Sequence, residues 1–144
     1  MLSSKMLITG IVLLSLSGCA TVDCEKNTTG KVLAGTSTAL VGLYIDSKGY
    51  PQASVDTVIV SPGQRIVFSG PKQFDIFFKE KKSPVEQFEL PARDGVLILD
   101  IPEDVFTQEG RDDPSSQGKK ELSYKYGIRV NGKETDPEIR VVPR

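Results

Sequence analysis

Residues 121–132 read ELSYKYGIRVNG, and PEIRVVP follows at 137–143. In the first stretch Tyr124, Tyr126, Ile128 and Val130 fall on one face of an extended chain, while Ser123, Lys125 and Arg129 fall on the other. Successive side chains of a strand point to opposite faces, so this period of two specifies a half-buried strand.

Working back from there, the same grammar recurs. LVGLYID (40–46) leads to the turn SKGYPQ, and VDTVIV (55–60) runs into Ser-Pro-Gly. QRIVFSG (64–70) and QFDIFFK (73–79) follow, the latter with Phe74, Ile76 and Phe78 on its inner face. EQFEL (86–90) precedes PARDG, and GVLILDI (95–101) comes next. Short apolar runs punctuated by Pro, Gly and Asp read as strands and turns. With the closing pair they make eight candidate strands from Leu40 onward, the spacing of an antiparallel sandwich or small barrel. VDTVIV and VLILDI are apolar on both faces for most of their length, which predicts central strands covered on both sides or capped by a loop. IPEDVFTQEG (101–110) alone reads as helical, with Pro102 in the first turn and Glu103 and Asp104 suited to a helix N-terminus. EGRDDPSSQGKKE (109–121) reads as an exposed polar loop.

The other end has a different text. Leu7 to Leu16 is an apolar run of ten residues behind a single basic residue, Lys5. A spanning helix needs about 20, so the run has the proportions of a secretory signal. It ends Leu16-Ser17-Gly18-Cys19, which resembles the lipobox of bacterial lipoproteins. That resemblance implies thioether lipidation of Cys19 by a diacylglyceryl group and cleavage after Gly18, with Leu16, Ser17 and Gly18 as the peptidase recognition residues. Small Ser17 and Gly18 admit the peptidase, and cysteine supplies the soft nucleophile. The plainer alternatives are an ordinary signal peptide with a chance cysteine, or a short buried helix. The expected organisation is a cleaved signal at 1–18, a lipidated N-terminus and tether at 19–39, and a β-sandwich domain at 40–144. KVLAG (31–35) is a candidate for a short docking strand within the tether. The tether as a whole, as a flexible chain, spans roughly 25 Å.

Cleavage would leave 126 residues (144 minus 18), with 17 basic against 19 acidic side chains, a net charge of −2. That balance gives no footprint for nucleic acid. The length suits one domain able to bury about two-thirds of its unfolded surface. The chain contains no histidine, which removes imidazole bases, Ser-His and Cys-His pairs, and imidazole metal sites. With Cys19 lipidated, Cys24 is left without an intramolecular partner. It reads as a tether residue, with an intermolecular disulfide as the sharper alternative.

Four features bear on chemistry. Glu103, Asp104, Glu109, Asp112 and Asp113 crowd one short stretch, but their spacing matches no EF-hand loop, and turn acids are usually solvated. Lys79, Lys81 and Lys82 form a basic run whose ordinary role is protecting a strand end, with contact to anionic headgroups as the alternative. Asp136-Pro137 reads as a turn that sets entry to the next strand. The Tyr124/Tyr126 face is a candidate small-ligand surface or, more simply, core.

The stretch VDTVIVSPGQRIVFSGPKQFDIFFKEKKSP (55–84), together with ELSYKYGIRVNGKETDPEIRVV (121–142), resembles a cupredoxin-like Greek-key sandwich; an Ig-like sandwich shares much of this pattern. The resemblance implies a fold, but its copper chemistry does not carry over. A blue-copper site needs two histidines and a thiolate, and where those ligands would fall the closing hairpin has Tyr124, Tyr126 and Gly127. No cofactor and no metal are therefore expected, and no enzymatic activity. The expected role is that of a lipid-anchored envelope lipoprotein with a binding or structural sandwich. In the lipoproteins that the chain resembles, an aspartate after the lipidated cysteine marks inner-membrane retention in enterobacteria; Ala20 and Thr21 lack it, which implies the periplasmic side of the outer membrane. The alternatives are an accessory subunit of a larger envelope or secretion assembly, and a hydrolase working without histidine.

Overall fold

A computed structural model describes residues 29–31, 37–112, 118 and 121–144. In chain order these form β1 (Thr29–Lys31), β2 (Thr38–Ile45), β3 (Pro51–Ala53), β4 (Thr57–Val60), β5 (Arg65–Ser69) and β6 (Asp75–Phe78). A 3-10 turn (Lys79–Lys81), β7 (Glu89–Pro91), β8 (Val96–Asp100) and the helix α1 (Val105–Asp112) follow, then β9 (Leu122–Val130), β10 (Lys133–Thr135) and β11 (Glu138–Val141). The signal segment, with Leu16, Ser17 and Gly18, lies outside the described residues, as do Cys19, Cys24 and Asp113.

The chain forms the all-β sandwich that its alternation predicts. One sheet runs β1-β4-β11-β9-β6-β7, with β10 also paired to β9, and the other runs β3-β2-β5-β8. Their inner faces share one core. Val58, Val60, Ile76, Phe78, Tyr124, Tyr126, Ile128 and Ile139 enter it from the first sheet, and Val41, Leu43, Ile66, Phe68, Leu97 and Leu99 from the second. Across the interface the Phe68 and Tyr126 rings meet edge to face at 5.6 Å, an arrangement that ring quadrupoles favour. Phe74, Ile76 and Phe78 are all buried, as expected.

The sheets are mixed, not antiparallel throughout: β1 and β11 both run parallel to β4, and β2 runs parallel to β5. Alternation reports which face of a strand is buried but not the direction of its neighbour, so this was not legible. Two short strands also escaped the sequence reading. β3 starts at Pro51, immediately after a tight turn in which the Asp46 carboxylate accepts the amides of Lys48 and Tyr50. β10 is joined to β9 by Asn131-Gly132, both with positive φ, the signature of a two-residue hairpin turn. β1 lies within the stretch read as tether, at Thr29–Lys31, just ahead of most of KVLAG. The second sheet begins at Thr38.

VDTVIV contains β4, a central strand between β1 and β11, with Val58 and Val60 in the core and Thr57 and Ile59 half-buried on the other face. VLILDI is different, because β8 is an edge strand and its outward residues Val96 and Ile98 are 42% and 54% exposed. The expected covering layer is missing on that face among the described residues. The helix is shifted toward the C-terminus. The carbonyls of Pro102 and Asp104 accept the amides of Val105, Thr107 and Gln108, so Pro102–Asp104 form the lead-in turn and not the first helical turn.

Candidate functional site

One end of the sandwich holds a hollow of about 350 Å³ between the β6–β7 connection, α1 and β9, within the size range of small-ligand sites. Each wall follows from local sequence. After β6 the chain turns through Glu80, whose φ of 59° puts a non-glycine residue in the left-handed region, a conformation costing on the order of 1 kcal/mol or more. The Ser83 hydroxyl donates to the Gln87 carbonyl at 2.9 Å and accepts the Val85 amide at 3.1 Å, which curls residues 83–87. The Phe78 amide then donates to the Phe88 carbonyl at 2.7 Å and closes the loop. Val105 is buried at the start of α1, and Glu109, four residues on, shares its face. The face that docks the helix thus carries a carboxylate into the sandwich, leaving Glu109 only 9% exposed.

Tyr124 lines the same hollow from β9. Its hydroxyl is buried and has no hydrogen-bond partner among the described residues. Burial pushes its phenol well above the ordinary value, and the nearby Glu109 carboxylate adds to this through its charge and as an acceptor close to the hydroxyl. Lys82 Nζ stands 3.7 Å from Glu109 Oε2, an ion pair longer than a hydrogen bond. Glu80 and Glu86 sit on the exposed rim, and Val85, Phe88 and Val105 supply apolar wall.

Lys82, Glu109 and Tyr124 each figured in the sequence reading, but in three unrelated roles: basic run, acidic stretch and tyrosine face. The fold brings them together. The acidic stretch is dispersed: Glu103 lies 3.7 Å from Arg144, Asp104 accepts Gln108 Nε2 at 2.8 Å, and Glu109 turns inward. Among the described residues no three acidic or cysteine side chains converge to hold a metal. The basic run is dispersed too, because Lys79 pairs with Asp136 at 2.5 Å. Asp136-Pro137 does set strand entry: Pro137 is buried and its carbonyl accepts the Tyr126 amide. The side chains of Lys81 and Asp112 lie outside the described residues.

Of the two tyrosines, Tyr126 is core alone, fully buried against Phe68. Gly127 has a packing reason: a Cβ there would lie 2.0 Å from the Phe77 ring. That ring covers the glycine from the opposite strand and carries the Arg129 guanidinium 4.6 Å above it. A second hollow of about 380 Å³ beside Asp75 and Arg129 is less suited to a ligand, since Arg129 already donates to Glu89 and Glu134. On the outer face of the second sheet, the strand register aligns Leu40, Val67 and Ile98 in one apolar row, with Leu40 77% exposed.

No protein-family model matches the chain, and no curated protein matches it in sequence. Among solved structures, it is similar to one described as the NMR solution structure of a copper binding protein in the apo form, at 13% identity. That alignment covers 78% of this chain and 96% of the other, with a TM-score of 0.38.

Proposed function

We propose that this chain is a bacterial envelope lipoprotein, anchored through acyl groups on Cys19, whose sandwich is a non-catalytic binding module built around the Glu109–Tyr124 hollow. The observation that carries the anchoring is Leu16-Ser17-Gly18-Cys19 at the end of a ten-residue apolar run. A diacylglyceryl group supplies the two chains that stable attachment requires, each buried methylene contributing about 0.8 kcal/mol. The binding role is supported by the half-open, chemically mixed hollow. A hydrolytic role is disfavoured because the Ser83 hydroxyl, the nucleophile nearest Lys82 in sequence, already donates to the backbone. Copper redox chemistry is disfavoured by the absence of histidine from the sequence.

In cells fed a radioactive fatty acid, Cys19→Ser is expected to abolish label on the protein and leave it uncleaved or released in soluble form. Label equal to wild type on the variant overturns the anchoring.

The apolar row Leu40, Val67 and Ile98 favours a second reading, as an accessory subunit of a larger envelope assembly. Mild crosslinking is then expected to recover a stoichiometric envelope partner, and a monomer in native mass spectrometry after the same treatment removes this reading.

A further inference from the structure

We propose that the hollow takes an organic ammonium group carried on a short apolar stem; this rests on the reading of the hollow as a binding site. Two buried polar groups meet at its floor. The Glu109 carboxylate is an acceptor, and its cationic neighbour Lys82 lies at 3.7 Å, beyond hydrogen-bonding distance. Tyr124 is 1% exposed, and its hydroxyl makes no well-formed hydrogen bond among the described residues, although the Glu109 carboxylate lies close enough to act on it. A buried hydroxyl in that condition is only partly compensated for its lost hydration, so a ligand that bonds to it recovers part of what folding gave up. A primary ammonium has three donors, enough to serve Glu109 and the Tyr124 oxygen together.

The charge points the same way. Glu80, Glu86 and Glu109 outnumber Lys82 around the hollow, which repels an anion and attracts a cation. Val85, Phe88 and Val105 give the stem an apolar wall, and the Phe88 ring offers a face that cations favour. A bare metal ion fits less well, since the acids do not converge as ligands among the described residues. The left-handed Glu80 at the rim is strain of the kind found where a binding loop is held in position.

The test uses the full chain in nonionic detergent with carbon-13-labelled tyrosine rings, four in all. n-Butylammonium, n-butanol and butyrate are titrated in turn and followed by NMR. n-Butylammonium is expected to move the Tyr124 signal to saturation while the Tyr44, Tyr50 and Tyr126 signals stay in place, and neither other probe is expected to do so. Glu109→Gln, isosteric but uncharged, is expected to weaken the response at least tenfold with the Tyr126 signal unmoved. Lys82→Gln, which removes the competing cation, is expected to tighten it severalfold. If n-butanol or butyrate moves Tyr124 as strongly as n-butylammonium, the ammonium assignment falls and the binding site stands. If no probe moves it, the hollow takes no such ligand, and both readings fall.

Discussion

Tyr126 is fully buried and its hydroxyl, like that of Tyr124, finds no partner among the described residues. Burial is the chief cause that pushes both phenols above their ordinary value of 10, with the Glu109 charge adding to it at Tyr124 and the Asp56 charge at Tyr126. A raised value in the folded state means that the fold holds the proton more tightly than the unfolded chain does. The contribution to stability is complete below pH 10 and drains away as pH rises through it, because the unfolded phenols ionise and the folded ones do not. For Tyr126 the loss approaches about 1.4 kcal/mol per pH unit. Alkaline titration is expected to release the phenolate absorbance of these two residues together with the loss of β circular dichroism. Ionisation of all four tyrosines with the sheet signal intact would contradict this. The inward direction of both rings was legible from alternation alone. That their oxygens end up without partners was not, since it depends on what residues 82–88 and α1 place around β9.

At the scale of the element, β8 separates what a pattern of apolar residues says from what it does not. VLILD is apolar on both faces, yet Leu97 and Leu99 enter the core while Val96 and Ile98 face outward. Leu99→Ala is expected to cost about 2–5 kcal/mol through lost burial and the cavity left behind, whereas Ile98→Thr, which keeps the β-branch, is expected to stay within about 0.5 kcal/mol. Denaturant midpoints of the two variants check the contrast, and equal losses would mean the outer face is covered. β9 shows the reverse case. Gly127 looks like a weak point in a strand, but the Phe77 ring lies across it and Arg129 lies across the ring. Lone glycines in strands mark a close approach, and here the signal was present in YKYGIRV without naming the partner. α1 carried a comparable hint, since Val105 and Glu109 are four apart and one of them had to bury its carboxylate if the other docked.

For the whole molecule, the sandwich followed from the segment count and the alternation, and its inner faces were legible nearly residue by residue. The parallel pairings were not, because they join segments remote in sequence whose own text carries no polarity. The most consequential of these pairs Thr57–Val60 with Glu138–Val141, so that β11 lies between β4 and β9. Its partners differ sharply in distance along the chain: β9 ends at Val130, eight positions before Glu138, while Thr57 is 81 positions before it. During synthesis, then, β4 emerges with its eventual neighbour still unmade, and its hydrogen-bonding edge stays unfilled for some eighty further residues. At roughly 5–20 residues per second, that wait lasts several seconds or more. If the chain is exported, as proposed above, such a delay keeps one edge of β4 open while the chain travels to the translocation channel.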